Sequence, residues 1–169
     1  LYARWIKNER NYIKNEYCIT RNILKQLVNS DCNLSISTKS KLILRDIDVN
    51  DAFEMFEYSK LPNVGPMAGW EPHKSIAESM AVINLFINSK TRGEPGVYAI
   101  VYRETNQMIG TIELYNYKPY FKAELGYSLH PDFWGQGLVV EAAECLIDWG
   151  FRDLNLKRIE VWNVLHCGQ

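Results

Sequence analysis

The sequence predicts an α/β domain, and three observations predict it. Over residues 41–162 the hydrophobic pattern alternates between the two regular periods: a strand, two helices, three strands, a glycine turn with its helix, and a further strand. Between Leu125 and Glu141 a short strand, a proline turn at His130 to Asp132 and the pair Gly135 and Gly137 lead straight into an apolar helix. The chain has 169 residues, 47% of them apolar, 12% aromatic and 23% charged, which suffices for one buried core and argues against disorder.

Residues 1–35 are read as an N-terminal segment and linker, and residues 36–169 as the main domain. The segment admits two readings. Ile6, Ile13, Tyr17, Ile23, Leu24 and Leu27 would line one side of a long helix. Alternatively, Tyr2, Trp5, Ile6, Tyr12, Ile13, Tyr17, Cys18 and Ile19 are strand formers, Lys7 to Arg10 turn a hairpin, and a short helix covers 21–29. Residues 29–40, rich in Ser, Asn and Thr, follow as the linker.

The main domain opens with a strand at Lys41 to Arg45. Asp48 caps a helix whose apolar positions Val49, Ala52, Phe53 and Phe56 share one face, and Leu61 to Pro66 stops it. Ser75 and Glu78 have the spacing of a capping box, and Ile76, Met80, Ile83 and Ile87 give the second helix a buried stripe. Arg92 to Gly96 ends that helix. Strands follow at Val97 to Arg103 and Met108 to Tyr115, then an aromatic loop from Asn116 to Phe121 and a strand at Ala123 to Leu129. The helix after the glycines turns Leu138, Ala142, Cys145, Leu146 and Trp149 to the core and stops near Asp153 to Leu156, before a strand from Lys157 to Trp162.

Charge and cysteine usage narrow the function. Residues 1–30 hold six Lys/Arg against two Asp/Glu, and the rest holds thirteen against eighteen. An acidic main domain repels nucleic acid and attracts cationic acceptors. No apolar run reaches the ~18 residues of a membrane span, and no signal peptide opens the chain, so a cytoplasmic protein without a membrane partner is expected. The four cysteines are scattered without metal-ligand or disulfide spacing, so no metal is expected. His73 and His130 lack a ligand partner at useful spacing, and a capping or surface role is expected of them.

The pair Gly135 and Gly137 makes an anion cradle. Two glycines let the backbone approach a ligand closely, and the first turn of the helix leaves its N–H groups unpaired at the positive end of the dipole. No Lys or Arg lies between Gly135 and Phe151, so backbone amides must carry the recognition. It is neither a P-loop nor a dinucleotide fingerprint, because Gly-Lys-Ser/Thr and a third glycine are both missing.

The run from His130 to Gly137, followed by Val140, Glu141, Ala142 and Ala143, resembles the acetyl-CoA loop of the GNAT superfamily of N-acetyltransferases. The likeness is to the branch that contains the ribosomal-protein alanine and serine N-acetyltransferases. Asp132 stands where the family usually has Gln or Arg. The resemblance implies a central mixed sheet flanked by helices over roughly residues 38–163, with acetyl-CoA as co-substrate. It assigns Tyr127, Ser128 and Leu129 to the pantetheine arm and Gly135, Gln136, Gly137, Leu138 and Val139 to the pyrophosphate. Residues 64–73 fall where the family has its acceptor loop, so Trp70, with Tyr115, is expected at the acceptor, although a packed turn with a core tryptophan fits the loop as well. Trp134 is expected to brace the glycine loop against the helix.

Direct transfer to an amine needs a route for the amine's proton. Thr111, Glu113 and Tyr115 alternate with Ile112 and Leu114, so this strand has a polar face, which is either solvated or the floor of a site. Glu113 and, on the next strand, Glu124 are the candidate bases. The family continues past this point with another helix and a final strand pair, whereas only Val164 to Gln169 follows here. The expectation is a truncated domain, or one whose missing strands come from residues 1–30 by permutation, exchange within a homodimer, or as the tail of a preceding unit. Tyr17-Cys18-Ile19-Thr20 is similar to the family's closing strand. Two functions stay open: an acetyltransferase acting on a protein N-terminus or a small-molecule amine, and a CoA-binding or protein-interaction module without catalysis.

Overall fold

Val97–Tyr102 reads Val-Tyr-Ala-Ile-Val-Tyr, with no polar face, and in the computed structural model its first five residues are buried on both sides of a sheet. The structure describes residues 2–7, 13–20 and 40–165. The elements are β1 (Tyr2–Lys7), β2 (Ile13–Thr20), β3 (Leu42–Asp46), α1 (Ala52–Ser59), α2 (Gly65–Ala68), α3 (Ile76–Thr91), β4 (Val97–Tyr102), β5 (Gln107–Lys118), β6 (Lys122–Leu129), α4 (Leu138–Arg152) and β7 (Arg158–Leu165). Five strands in the order β7-β6-β5-β4-β3 form a mixed sheet flanked by helices, the architecture the sequence predicts. One face packs against α4 through Ile100, Ile112, Leu114, Leu125, Leu146 and Ile159, and the other against α1 and α3 through Ala99, Val101, Met108, Met55, Tyr58 and Ile83.

Two helices turn a different side to the core than the periodicity suggests. A 3₁₀ turn at Val49–Asp51 precedes α1 and shifts its phase, so Ala52, Met55 and Tyr58 are buried while Phe53 is 60% exposed. Asp48 caps this turn as expected, accepting from the Asn50 N–H at 2.9 Å, and Asp51 closes the box by accepting from the Asp48 N–H at 2.8 Å. In α3 the buried residues are Ser79 and Ile83, and Ile76 and Met80 are exposed, because the small Ser79 makes the inward turn. Its capping box is half formed: Ser75 Oγ accepts from the Glu78 N–H, but the Glu78 carboxylate accepts from the Lys74 N–H. β5 runs on to Lys118, so the aromatic loop contracts to a tight turn around Tyr120.

At the far edge, β1 pairs antiparallel with β2 (Tyr2 opposite Cys18, Lys7 opposite Ile13), and β2 pairs antiparallel with β7 from Ile13 opposite Leu165 to Thr20 opposite Arg158. This geometry is that of a hairpin and not of the long helix. The short helix expected over 21–29 and the linker up to residue 39 lie outside the described residues.

Among the described residues β6 and β7 are the one parallel pair, and they stay paired only from Lys122 opposite Arg158 to Leu125 opposite Val161. Beyond that point β6 continues to Leu129 without β7 beside it, so the backbone of 126–129 faces a gap on that side. Where the strands are joined, the Glu160 carboxylate is 2% exposed and takes Lys122 Nζ at 2.7 Å and Arg158 Nη2 at 2.5 Å. A buried carboxylate held by two cations is strongly destabilised when one of them is removed.

Lys122→Ala is therefore expected to lower unfolding stability by about 3 kcal/mol in chemical denaturation. Arg152→Ala, which breaks the surface pair with Asp148, should lower it by less than about 1 kcal/mol. Equal losses would mean that Glu160 does not depend on its lysine. Removal of residues 1–20 exposes the β7 edge and is expected to make the protein associate, as read by sedimentation or light scattering.

Candidate active site

The glycines open α4 as the sequence implies. Gly137 is its N-cap with φ 75° and no side chain capping the helix, and Gly135 has φ 71°. A Cβ built on either residue meets nothing within 4 Å, so both face open space. The first N–H groups of a helix have no intrahelical acceptor, and here no side chain caps them. The loop is held from below: Trp134 Nε1 donates to the Leu129 carbonyl at 2.8 Å, Gln136 Nε2 donates to the Asp132 carbonyl at 3.1 Å, and His130 Nδ1 accepts from the Asp132 N–H at 3.2 Å. Trp134 thus braces the loop against the end of β6 and not against α4. His130 has the capping role expected of it. Leu138 is buried and packs α4 onto the sheet, and Val139 is half-buried.

From this cradle a groove of about 1030 Å³ runs past the gap beside β6 to the space between α1, α3 and β5. Tyr127, Ser128 and Leu129 line it, as do Gly135, Gly137, Leu138 and Val139. Tyr127 is 43% exposed and lies outside the sheet core, whereas Leu129 belongs to it. Ser128 Oγ lies 2.8 Å from Thr111 Oγ1, and at 3.5 Å it also approaches the buried Tyr58 hydroxyl. This hydroxyl cluster beneath the groove was not foreseen from sequence, although the alternation along β5 points Thr111 toward it.

The polar face of β5 is the groove floor and is not solvated. Glu113 and Tyr115 both line the groove, flanking Gly126 on β6, whose missing Cβ would sit 3.1 Å from the Tyr115 ring and 3.4 Å from Glu113 Cγ. Burial, helped by the negative charge of Glu94, pushes the Glu113 carboxyl up to about 7. Burial and the neighbouring Glu124 and Glu113 carboxylates push the Tyr115 phenol up to about 12. Glu124 stands opposite Tyr115 across the strand pair and is not among the groove residues.

The far end of the groove is walled by the loop that contains α2. Gly65 lies directly under Trp70, where a Cβ would come within 2.6 Å of the indole, so the loop is folded tightly around that ring. Trp70 is half-buried, faces the groove, and lies 5.2 Å from the His73 ring centroid. His73 is neither a cap nor a surface residue: its Nδ1 is 2.8 Å from Ser79 Oγ, its N–H donates to the Ser59 carbonyl at 3.0 Å, and burial lowers its proton affinity. Val82 and Phe86 of α3, which the predicted stripe omits, complete this end.

Because both glycines lie in the left-handed region, the stability of a Gly137 variant is not spared as ordinary backbone angles would allow. Gly137→Val is expected to cost about 2 kcal/mol in thermal denaturation and, if the acetyl-CoA site implied by the resemblance lies here, to abolish CoA binding in calorimetry. Binding that survives would show that the N-terminus of α4 is not the anion site.

The comparisons with known proteins agree with this geometry. The sequence model of the acetyltransferase (GNAT) domain matches residues 41–163. The Bacillus licheniformis protein named uncharacterized N-acetyltransferase p20 is 32% identical over 125 residues, covering 71% of this chain and 68% of that one. In fold, the chain is similar to the ribosomal-protein-S5-alanine acetyltransferase of Vibrio fischeri, with TM-score 0.60 and 24% identity over 72% of this chain and 70% of the other. It is also similar to RimL, a ribosomal L7/L12 alpha-N-protein acetyltransferase solved with coenzyme A, with TM-score 0.63 and 23% identity over 76% and 72%. A splayed parallel strand pair, a glycine cradle at a helix N-terminus and a matching sequence over 41–163 make this chain a member of the GNAT acetyltransferase family and an N-acetyltransferase.

Proposed function

We propose that the protein transfers an acetyl group from acetyl-CoA directly to a primary amine, on a protein N-terminus or on a small molecule. One observation carries this reading: a single groove joins the Gly135/Gly137 cradle, the unpaired β6 backbone at 126–129, and a Glu113 carboxyl raised to about 7. The cradle suits a pyrophosphate, because both glycines face open space and no side chain caps α4. Gly135, Gln136, Gly137, Leu138 and Val139 hold that group through backbone N–H groups. Tyr127, Ser128 and Leu129 offer main-chain groups to an extended arm, in the manner of an added strand.

Acetyl-CoA, when bound, supplies a thioester activated toward attack by an amine. Gly126, having no Cβ, lets the Glu113 and Tyr115 side chains close over β6 beside the gap. Glu113, as its carboxylate, takes a proton from the incoming ammonium, directly or through one water, and frees the nitrogen lone pair. The N–C bond forms, the nitrogen gives up its second proton to water, the C–S bond breaks, and the leaving thiolate takes a proton from solvent. Glu124 acts at one remove by flanking Tyr115, and Tyr115 and Trp70 bound the acceptor. Among the described residues no helix is long and apolar enough to cross a membrane. RimL, of the same fold, was solved with coenzyme A, which supports the choice of acyl donor.

Calorimetry with acetyl-CoA tests the first half of this reading, and the absence of binding would refute it. The base is tested by pH. Glu113 works only when ionised, so kcat/KM should rise through about pH 7 and then level off. Glu113→Gln should remove that rise and lower kcat/KM by about 100-fold or more. Stability should move the other way. The folded pKa lies above the unfolded one, so the protonated carboxyl favours the fold below about pH 4.5, and this contribution is lost as pH rises through 7. Glu113→Gln, always neutral, should therefore be the more stable protein at pH 9, by at most about 3 kcal/mol, and no more stable at pH 4.

A further inference from the structure

The acceptor end of the groove is poor in charge. Met55, Val64, Trp70, Val82 and Phe86 wall it, and Glu113 is the only acidic residue among the described residues that line the groove, which include no Lys or Arg. His73 is the one other lining group able to carry charge near neutral pH, and burial disfavours its cation. The neighbouring carboxylates are directed elsewhere. Glu124 stands beside Tyr115, and Glu94 is exposed and outside the lining.

Resting on the transferase reading above, we infer that the acceptor is an apolar monoamine: one primary amine on an aliphatic or aromatic body, either free or as the first residue of a peptide. Each ammonium group brought out of water needs an anion or hydrogen-bond acceptors to replace its hydration. Glu113 can serve one. A second or third ammonium, as in a polyamine or an aminoglycoside, would find no further anion among the described lining residues, only the neutral Asn63 and hydroxyl groups beside Val82, Phe86 and Met55, and that uncompensated charge is the basis of rejection. The body of a monoamine meets instead the indole of Trp70 and the ring of Phe86, surfaces that gain from displacing water. The lining thus selects by what it lacks as much as by what it offers.

The full chain is titrated with acetyl-CoA, and thiol release is then followed with phenethylamine, phenylalanyl-alanine amide, spermidine and kanamycin. The expected result is a kcat/KM for phenethylamine or for the dipeptide amide about 100-fold above that for spermidine and kanamycin; the better of the first two tells whether the amine is free or peptide-borne. Phe86→Ala should raise KM for the preferred apolar amine about 10-fold with acetyl-CoA affinity retained, and Val82→Asp should narrow the gap to spermidine. Equal or better turnover of the polycations overturns the inference while leaving the transferase reading intact. So does a protein that binds acetyl-CoA and turns over no apolar amine, or a Phe86→Ala variant with unchanged KM. Failure to bind acetyl-CoA overturns the transferase reading itself, and the inference with it.

Discussion

Among the described residues, the candidate site follows from a parallel strand pair that is allowed to join for only four residues. Lys122 to Leu125 and Arg158 to Val161 are paired, and then β6 and β7 part. A parted pair in the middle of a sheet leaves main-chain groups without partners, which is costly unless something else satisfies them. Two devices make the opening tolerable. The buried Glu160, held by Lys122 and Arg158, pins the strands together just before they separate. On its other edge β7 is paired with β2 along its whole length, from Thr20 opposite Arg158 to Ile13 opposite Leu165, which holds β7 in place past the split and leaves the gap-facing groups of both β6 and β7 open.

The same economy governs the anion cradle. With no cation between Gly135 and Phe151, the site relies on oriented N–H groups at the start of a 15-residue helix. A helix N-terminus offers partial charges fixed in direction, which do not swing away as a lysine would. Its position is secured by packing: Leu138, Ala142, Cys145 and Leu146 seat α4 on the sheet, and the Trp134 bond to the Leu129 carbonyl ties the loop to the strand that carries the gap. The cradle and the slot are thereby built as one rigid piece.

Much of this was legible in the sequence, and what was not has identifiable causes. The strand, glycine loop and helix over 125–152 are local features, set by φ preferences and by a clean 3.6-residue stripe, and they were read correctly. The faces of α1 and α3 were misread because a 3₁₀ turn and a small buried serine, and not hydrophobicity alone, decide which side turns inward. At the site, the alternation along β5 disclosed Glu113 and Thr111, but whether that face met water depended on helices distant in sequence. Val82 and Phe86 escaped notice, and His73 was assigned to a cap or the surface, for the same reason: they come to line the groove with Glu113 only through the tertiary fold. Glu124 shows the converse, a carboxylate with the right strand and parity whose neighbour is a tyrosine and not the groove.

The pairing of β2 with β7 also imposes a schedule. Ile13 and Leu165 are partners about 150 residues apart, and the strands between them form closer pairs first. At synthesis rates of about 5–20 residues per second, β2 leaves the ribosome roughly seven to thirty seconds before its partner exists. During that interval β3 to β6 can assemble from hairpins of short range, but the sheet has no place for the first two strands. Completion of the sheet is therefore the step of highest contact order and the last to occur, so the nascent hairpin must stay unpaired, or be shielded, for most of the chain's birth.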